Sequence, residues 1–73
     1  MNFHYSMLIQ WSDEDSCFLV HLPEFPFQQF HTHGATYEEA AKHGQEVLET
    51  LIEMYSETGK PLPNPQTLKL TSA

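Results

Sequence analysis

One segment, from Thr36 to Gly59, has the pattern of a single long helix with both of its ends marked. Thr36 is a favourable N-cap, and Glu39 three residues later completes a capping box. Gly59 suits the left-handed conformation that ends many helices. Between these ends, apolar residues recur at steps of three and four, as in a helix that packs on a sheet: Tyr37, Ala40, Ala41, Gly44, Val47, Leu48, Leu51, Met54 and Tyr55. We therefore predict a helix over about residues 37–58.

The sequence before this helix has the two-residue period of β-strands instead. Alternating apolar residues predict strands at about 3–11, 17–22 and 27–33, with the acidic stretch SDEDS as a hairpin loop between the first two. Two prolines end the second strand, because proline lacks the backbone donor that a sheet needs. After the helix, the proline-rich stretch 60–65 predicts an extended exit, and QTLKL could add a last short strand.

These elements predict one α+β domain over residues 1–73, of β-β-β-α-β order, with a three-stranded antiparallel sheet and one helix packed on it. Two glycines receive structural roles in this prediction. Gly34 lies where the hydrophobic period changes, and we expect it to have a positive φ. Gly44 lies on the apolar stripe of the helix, where we expect the helix to approach the sheet closely.

A chain of 73 residues buries only a small core, so a further stabilising device is expected. Cys17 is the single cysteine, which excludes an internal disulfide and a thiolate zinc cluster and fits a reducing compartment. We interpret Cys17 as a small apolar residue of the second strand. Homo-oligomerisation is therefore the expected source of additional stability.

Ten acidic residues face three lysines and no arginine, which gives the chain a formal net charge of −7. This charge repels phosphate backbones and anionic lipids, so we expect no direct binding of nucleic acid or membranes. The N-terminal segment has neither a basic lead nor an apolar run long enough to cross a bilayer. We therefore expect a soluble, cytoplasmic protein.

Four acidic residues follow one another along the predicted helix at steps of three and four: Glu46, Glu49, Glu53 and Glu57. Like charges at these spacings oppose helix formation by about 0.2–0.5 kcal/mol per pair. Two interpretations stay open. The four glutamates could be a solvated face that keeps the protein soluble, or a docking surface for a basic partner.

Patterns that would indicate catalysis or cofactor binding are weak. The sequence marks no nucleophile paired with a base, and its glycines do not form a phosphate-binding loop, so we predict no catalytic residues and no cofactor. His31 and His33 have strand spacing and could share a metal ion, with His21 or a carboxylate as a third ligand. Strand histidines more often lie on a partly covered sheet face, so we predict no metal site.

The order of these elements and several local motifs resemble the HicB-like antitoxin family. The matching stretches are the first strand FHYSMLIQW, the loop SDEDS, LPEFP after the second strand, THGATYEEA at 32–40, and TGKPLPNP at 58–65. Together they span nearly the whole chain. The sequence departs from the family where Pro26-Phe27-Gln28 replaces the usual Pro-Gly-Cys turn. It also lacks the C-terminal DNA-binding segment of typical members, so we expect no autorepression.

The resemblance implies a fold like part of a ribonuclease H and a role in protein binding. Members of the family commonly neutralise HicA-type toxins, which are small basic ribonucleases, by covering the RNA-binding face and catalytic histidine of the toxin. With the net charge, this favours the four helix glutamates as the partner-binding residues. The alternatives are an orphan homo-oligomeric module without a toxin and, less favoured, a metal-dependent nuclease-like remnant, which would need converging carboxylates.

Overall fold

The computed structural model describes residues 4–26 and 30–68. Three strands precede one helix: β1 (Leu8–Ser12), β2 (Cys17–His21), β3 (Thr32–Gly34) and α1 (Tyr37–Thr58). The strands form one antiparallel sheet in the order β1-β2-β3, and α1 packs on it. The predicted α+β class, the three-stranded antiparallel sheet and the β-β-β-α order are confirmed.

The β1–β2 hairpin has a register that places Ile9 opposite Val20. Both side chains lie on the face of the sheet that α1 covers, where Val20 is completely buried and Ile9 packs against the core. The neighbouring Leu8 points to the other face and is 45 % exposed. The loop between the strands ends at Ser16, whose φ of 51° is left-handed. The alternation of apolar and polar residues in the sequence therefore predicts correctly which of these side chains lie on each face of the sheet.

The core lies between the sheet and the inner side of α1. Its buried hydrophobic residues come from β2, from the turn that follows it and from the helix: Val20, Leu22, Phe25, Ala40, Leu48, Leu51 and Ile52. The ring of Phe25 contacts Tyr5 and Tyr55 edge-on, with centroid separations of 5.0 and 5.6 Å. A turn residue thus joins the N-terminal segment to the helix.

A buried carboxylate lies beside this core. The chain leaves β2 through a β-turn in which the Phe25 amide donates to the Leu22 carbonyl at 2.9 Å, and Glu24, within the turn, is only 6 % exposed. Its carboxylate accepts hydrogen bonds from the Ser6 amide at 3.0 Å, the Ser6 hydroxyl at 3.0 Å and the Gln66 amide at 2.8 Å. Burial disfavours the charge, but the hydrogen bonds from Gln66 and Ser6 outweigh it and hold the pKa of the Glu24 carboxyl below its usual value.

These contacts explain two differences from the predicted strands. Of the predicted strand 3–11, residues 4–7 are not in a strand, because the Ser6 amide is bound by Glu24 and not by a neighbouring strand, and β1 begins at Leu8. Residue 3 of that prediction lies outside the described part of the chain. The predicted last strand is not formed over residues 66–68, where the Gln66 amide binds the same carboxylate. Residues 69 and 70 of that prediction lie outside the described part of the chain. The Glu24 side chain, and not a neighbouring strand, thus accepts the hydrogen bonds of the Ser6 and Gln66 amides.

β3 also differs from its prediction of about residues 27–33. It consists of Thr32–Gly34, paired with Val20, Leu19 and Phe18 of β2. Residues 30 and 31 are not in a strand, although the His31 amide donates to the Val20 carbonyl at 2.7 Å, and 27–29 lie outside the described residues.

The helix has the predicted bounds because both of its ends are fixed by local hydrogen bonds. The Thr36 hydroxyl accepts from the Glu39 amide at 3.0 Å, and the Glu39 carboxylate reaches back to the Ala35 amide at 3.0 Å. At the other end, Gly59 has a φ of 72°, and the Lys60 amide donates to a carbonyl of the last turn, as in a Schellman motif. The predicted roles of Thr36 as N-cap and of Gly59 as the left-handed C-terminal cap are confirmed. Glu39 also closes the N-terminus of the helix, but its carboxylate binds the amide of Ala35, the residue before the N-cap, whereas a capping box uses the amide of the N-cap itself.

Gly34 is required for a different reason from the one predicted. Its φ is not positive; of the three glycines, which all lie in the described part, only Gly59 has a positive φ. A Cβ atom at Gly34 would lie 2.7 Å from the Cα of Ala40, so only glycine lets the helix backbone approach β3 this closely. Gly44 shows the predicted close approach to the sheet, since its Cβ would lie 3.2 Å from the Cγ1 of Val20 in β2. It would also lie 2.6 Å from the Cε of Met7, the residue before β1.

The two glycines therefore predict unequal effects of alanine. Gly34→Ala is expected to lower the free energy of unfolding by about 2 kcal/mol, because its new methyl group meets backbone atoms. Gly44→Ala is expected to cost less, because the flexible end of Met7 can move and alanine favours a helix over glycine by about 1 kcal/mol. Urea unfolding of the two variants measures the difference, and equal losses would contradict it.

The carboxylate of Glu24 provides a second test. Glu24→Gln keeps the size of the side chain but removes its charge and turns an amide NH2 group toward backbone donors. The free energy of unfolding should fall by about 2 kcal/mol, as for lost hydrogen bonds to a charged acceptor. Glu14→Gln, the same change in the exposed hairpin loop, is the matched control and should leave the urea midpoint unchanged. A Glu24→Gln variant as stable as this control would refute the role of the carboxylate.

Candidate functional site

The outer face of α1 is the solvent-exposed side that contains Glu46, Glu49, Glu53 and Glu57. At 100° per residue these four side chains fall within about 80° around the helix axis, on the side opposite the buried residues of the stripe. All four are exposed. Glu38, Glu39 and Lys42 are also exposed and lie close to the same line toward the N-terminus of the helix. The outer face thus combines six carboxylates with one lysine.

Folding does not require this arrangement of charge. The spacings within Glu46–Glu57 place like charges next to each other three times in succession, which opposes the helix. Two of the glutamates, Glu53 and Glu57, also lie toward the C-terminal end, where the helix dipole is negative and the last turn has no basic residue. Of the six carboxylates, Glu39 is engaged in the N-terminal cap. The outer face is therefore a concentrated negative surface, and the charge within Glu46–Glu57 lowers the stability of the helix and does not contribute to it.

A row of three aromatic side chains lies where the hairpin meets the start of the helix. We call Trp11, Phe18 and Tyr37 the aromatic row. The ring centroids of Trp11 and Phe18 are 5.0 Å apart, and those of Phe18 and Tyr37 are 4.3 Å apart. Phe18 is half-buried, whereas Trp11 is 52 % and Tyr37 66 % exposed. The sequence pattern does not indicate this surface, because Tyr37 belongs to the apolar stripe that is predicted to pack on the sheet.

The hairpin loop beside the aromatic row holds three exposed acidic residues, Asp13, Glu14 and Asp15. The indole N–H of Trp11 donates to the Asp13 carboxylate at 3.0 Å, which fixes the edge of the ring. The Asp15 carboxylate accepts from the Ser12 hydroxyl at 2.9 Å. Two of the loop carboxylates are therefore engaged in local hydrogen bonds.

The structure separates the two histidines of the possible metal pair. The His31 ring lies over His21, with centroids 5.7 Å apart, whereas the His33 ring lies near His43, with centroids 6.4 Å apart. A nitrogen of His43 is 2.6 Å from the His33 carbonyl oxygen. Within residues 4–26 and 30–68, no three His, Cys, Asp or Glu side chains lie close enough to hold a metal ion together.

His31 instead closes the turn that contains Glu24. The Leu22 amide donates to its Nδ1 at 3.2 Å, and its Nε2 lies 2.8 Å from the Phe25 carbonyl oxygen. A neutral imidazole with its proton on Nε2 satisfies both contacts. Burial lowers the pKa of His31, and the nearby His21 lowers it further, against the opposing effect of the Phe25 carbonyl.

The lowered pKa of His31 predicts that acid destabilises the fold before the carboxylates titrate. Below about pH 6.5, the ordinary value for histidine, the unfolded chain takes up a proton on this imidazole and the folded chain does not. The free energy of unfolding should therefore fall as the pH decreases from about 7 toward the folded pKa.

Urea midpoints at about pH 8 and about pH 5.5 test this dependence. His31→Gln should be less stable at both values but should lose less on acidification than the parent chain. His4→Gln, at an exposed position, is the control and should keep the full loss. A parent chain and a His31→Gln variant with the same pH dependence would refute the assignment.

Within the described part of the chain, no helix is both long and apolar enough to cross a bilayer. Comparisons of the chain with protein-family models, curated proteins and solved structures find no match.

Proposed function

We propose that the chain is a HicB-like antitoxin module, which uses the outer face of α1 to bind a small basic ribonuclease of the HicA type. The main support is the outer face itself, with six exposed carboxylates and only Lys42 among them, directly opposite the core. Such a face attracts a cationic protein over distances of about a Debye length, 10 Å at 0.1 M salt. The cytoplasm, where such a ribonuclease meets its RNA, is the proposed location.

The element order and the local motifs support the same proposal. The helix with its Thr36 cap follows β3 as the family motif requires, and the proline-rich exit follows the Gly59 cap. The net charge of −7 favours a basic protein as the partner over RNA or DNA. The module would thus neutralise the toxin by occupying its positively charged surface, without any catalytic step of its own.

Charge reversal on the outer face tests the proposal. The experiment uses the small basic protein encoded in the neighbouring reading frame, where there is one, as the partner. Glu49→Lys/Glu53→Lys should slow the association with this protein about tenfold at low salt, because complementary charge mainly accelerates the encounter. The difference from the parent chain should shrink as salt is added. Stopped-flow or surface-based association rates at several salt concentrations provide the measurement.

Two double variants with the same net charge test whether the position of the charge on the outer face matters, or only the total charge of the protein. Glu49→Gln/Glu53→Gln and Gln10→Lys/Thr67→Lys each raise the formal charge by two, but the second pair lies outside the helix, at exposed positions. Only the first should slow association strongly. If both double variants change the association rate equally, or if Glu49→Lys/Glu53→Lys does not change it, the outer face is a solvated surface and not a docking surface.

The remaining outcomes decide between this proposal and its alternatives. If no basic neighbour is encoded or bound, and the melting temperature rises with protein concentration, an orphan homo-oligomeric module is favoured. Magnesium-dependent RNA cleavage that disappears in Asp13→Asn/Asp15→Asn would favour the nuclease-like remnant.

A further inference from the structure

We propose that the aromatic row is the anchoring site of this interaction and that it binds arginine side chains of the basic partner. This inference rests on the proposed function, since it supplies the short-range contacts of the same complex. Charge complementarity accelerates an encounter, but the stability of protein complexes depends mostly on a few aromatic and arginine residues that become desolvated.

The geometry of the row suits such a contact. Trp11 and Phe18 are direct cross-strand partners, and Tyr37 is the first residue of α1, so all three rings are held by regular structure. The rings of Trp11 and Tyr37 are more than half exposed, although side chains of this size are usually covered. The half-buried Phe18 between them fixes their separation.

Exposed carboxylates lie within two residues of each exposed ring in the sequence, and that of Asp13 contacts the Trp11 indole. Asp13 is bonded to the Trp11 indole, and the exposed Glu14 follows it in the loop. At the other end of the row, the exposed Glu38 comes directly after Tyr37. An arginine guanidinium can stack on an aromatic face and at the same time form paired hydrogen bonds with a carboxylate. A lysine ammonium group cannot form these paired hydrogen bonds with a carboxylate, because it is a compact point charge and not a planar group.

The same charges disfavour other occupants of the row. A second copy of the chain would bring a formal charge of −7 against another −7, with acidic residues around both rows. Nucleic acid and anionic lipid are repelled for the same reason. The row is therefore assigned to a cationic protein segment.

A fluorescein-labelled peptide in which arginine alternates with serine is the probe, and its anisotropy at low salt reports binding. Tyr37→Leu keeps apolar contact with Phe18 but removes the aromatic face, and should weaken binding about fivefold. Tyr37→Phe should bind like the parent chain. Leu8→Ala, on the opposite face of β1 and similarly exposed, is the control and should have no effect. A lysine–serine peptide should bind more weakly than the arginine peptide.

The emission of Trp11, the only tryptophan of the chain, gives a readout that needs no mutation. It should change as the arginine peptide saturates the protein. Three results would each overturn the inference. The first is a Trp11 emission that does not change at saturation, and the second is a Tyr37→Leu variant that binds both peptides as tightly as the parent chain does. The third is a parent chain that does not bind the peptides. Glu49→Gln/Glu53→Gln distinguishes the two proposals: if it weakens peptide binding and Tyr37→Leu does not, the outer face stands and the aromatic row is excluded.

Discussion

The buried carboxylate of Glu24 is the interaction that holds together the segment before β1 and the segment after α1. Ser6 and Gln66 are separated from it by 18 and 42 residues, and both donate backbone hydrogen bonds to it. Close by, the Tyr5 hydroxyl donates to the Pro63 carbonyl at 2.6 Å. Hydrogen bonds to a charged acceptor are stronger than neutral ones. They provide, within one subunit, part of the cross-linking that a disulfide gives to other small domains.

The acidic residues of this chain therefore have separate roles. Glu24 is structural, because its charge is buried and fully engaged by neighbouring donors. The loop carboxylates Asp13 and Asp15 shape the hairpin, and Glu39 caps the helix. Most glutamates of the outer face have no such role, and their spacing opposes the helix. This excess of charge is what the proposed binding function explains.

The parts of the fold that depend on near neighbours in sequence could be predicted. The helix bounds follow from Thr36 and Gly59, whose partners lie within four residues, and the hairpin follows from its alternation and polar loop. Glu24 could not be recognised, because its partners are far away in sequence. For the same reason the start of β1 was predicted too early, since the Ser6 amide binds Glu24 and not a neighbouring strand. The aromatic row needed both the β1–β2 register and the position of Tyr37 on the sheet, which no local pattern contains.

The outer face and the aromatic row also differ in how they would act on a partner. Charge on the outer face extends its influence through solvent, whereas contact with Trp11 and Tyr37 requires close approach. The glutamates near the C-terminus of α1 are unfavourable for the isolated helix, because they repel one another and the negative end of its dipole. A cationic partner bound at the outer face would relieve both repulsions. The features that weaken the free helix would therefore strengthen the complex, and the aromatic row would set the orientation in which the partner is held.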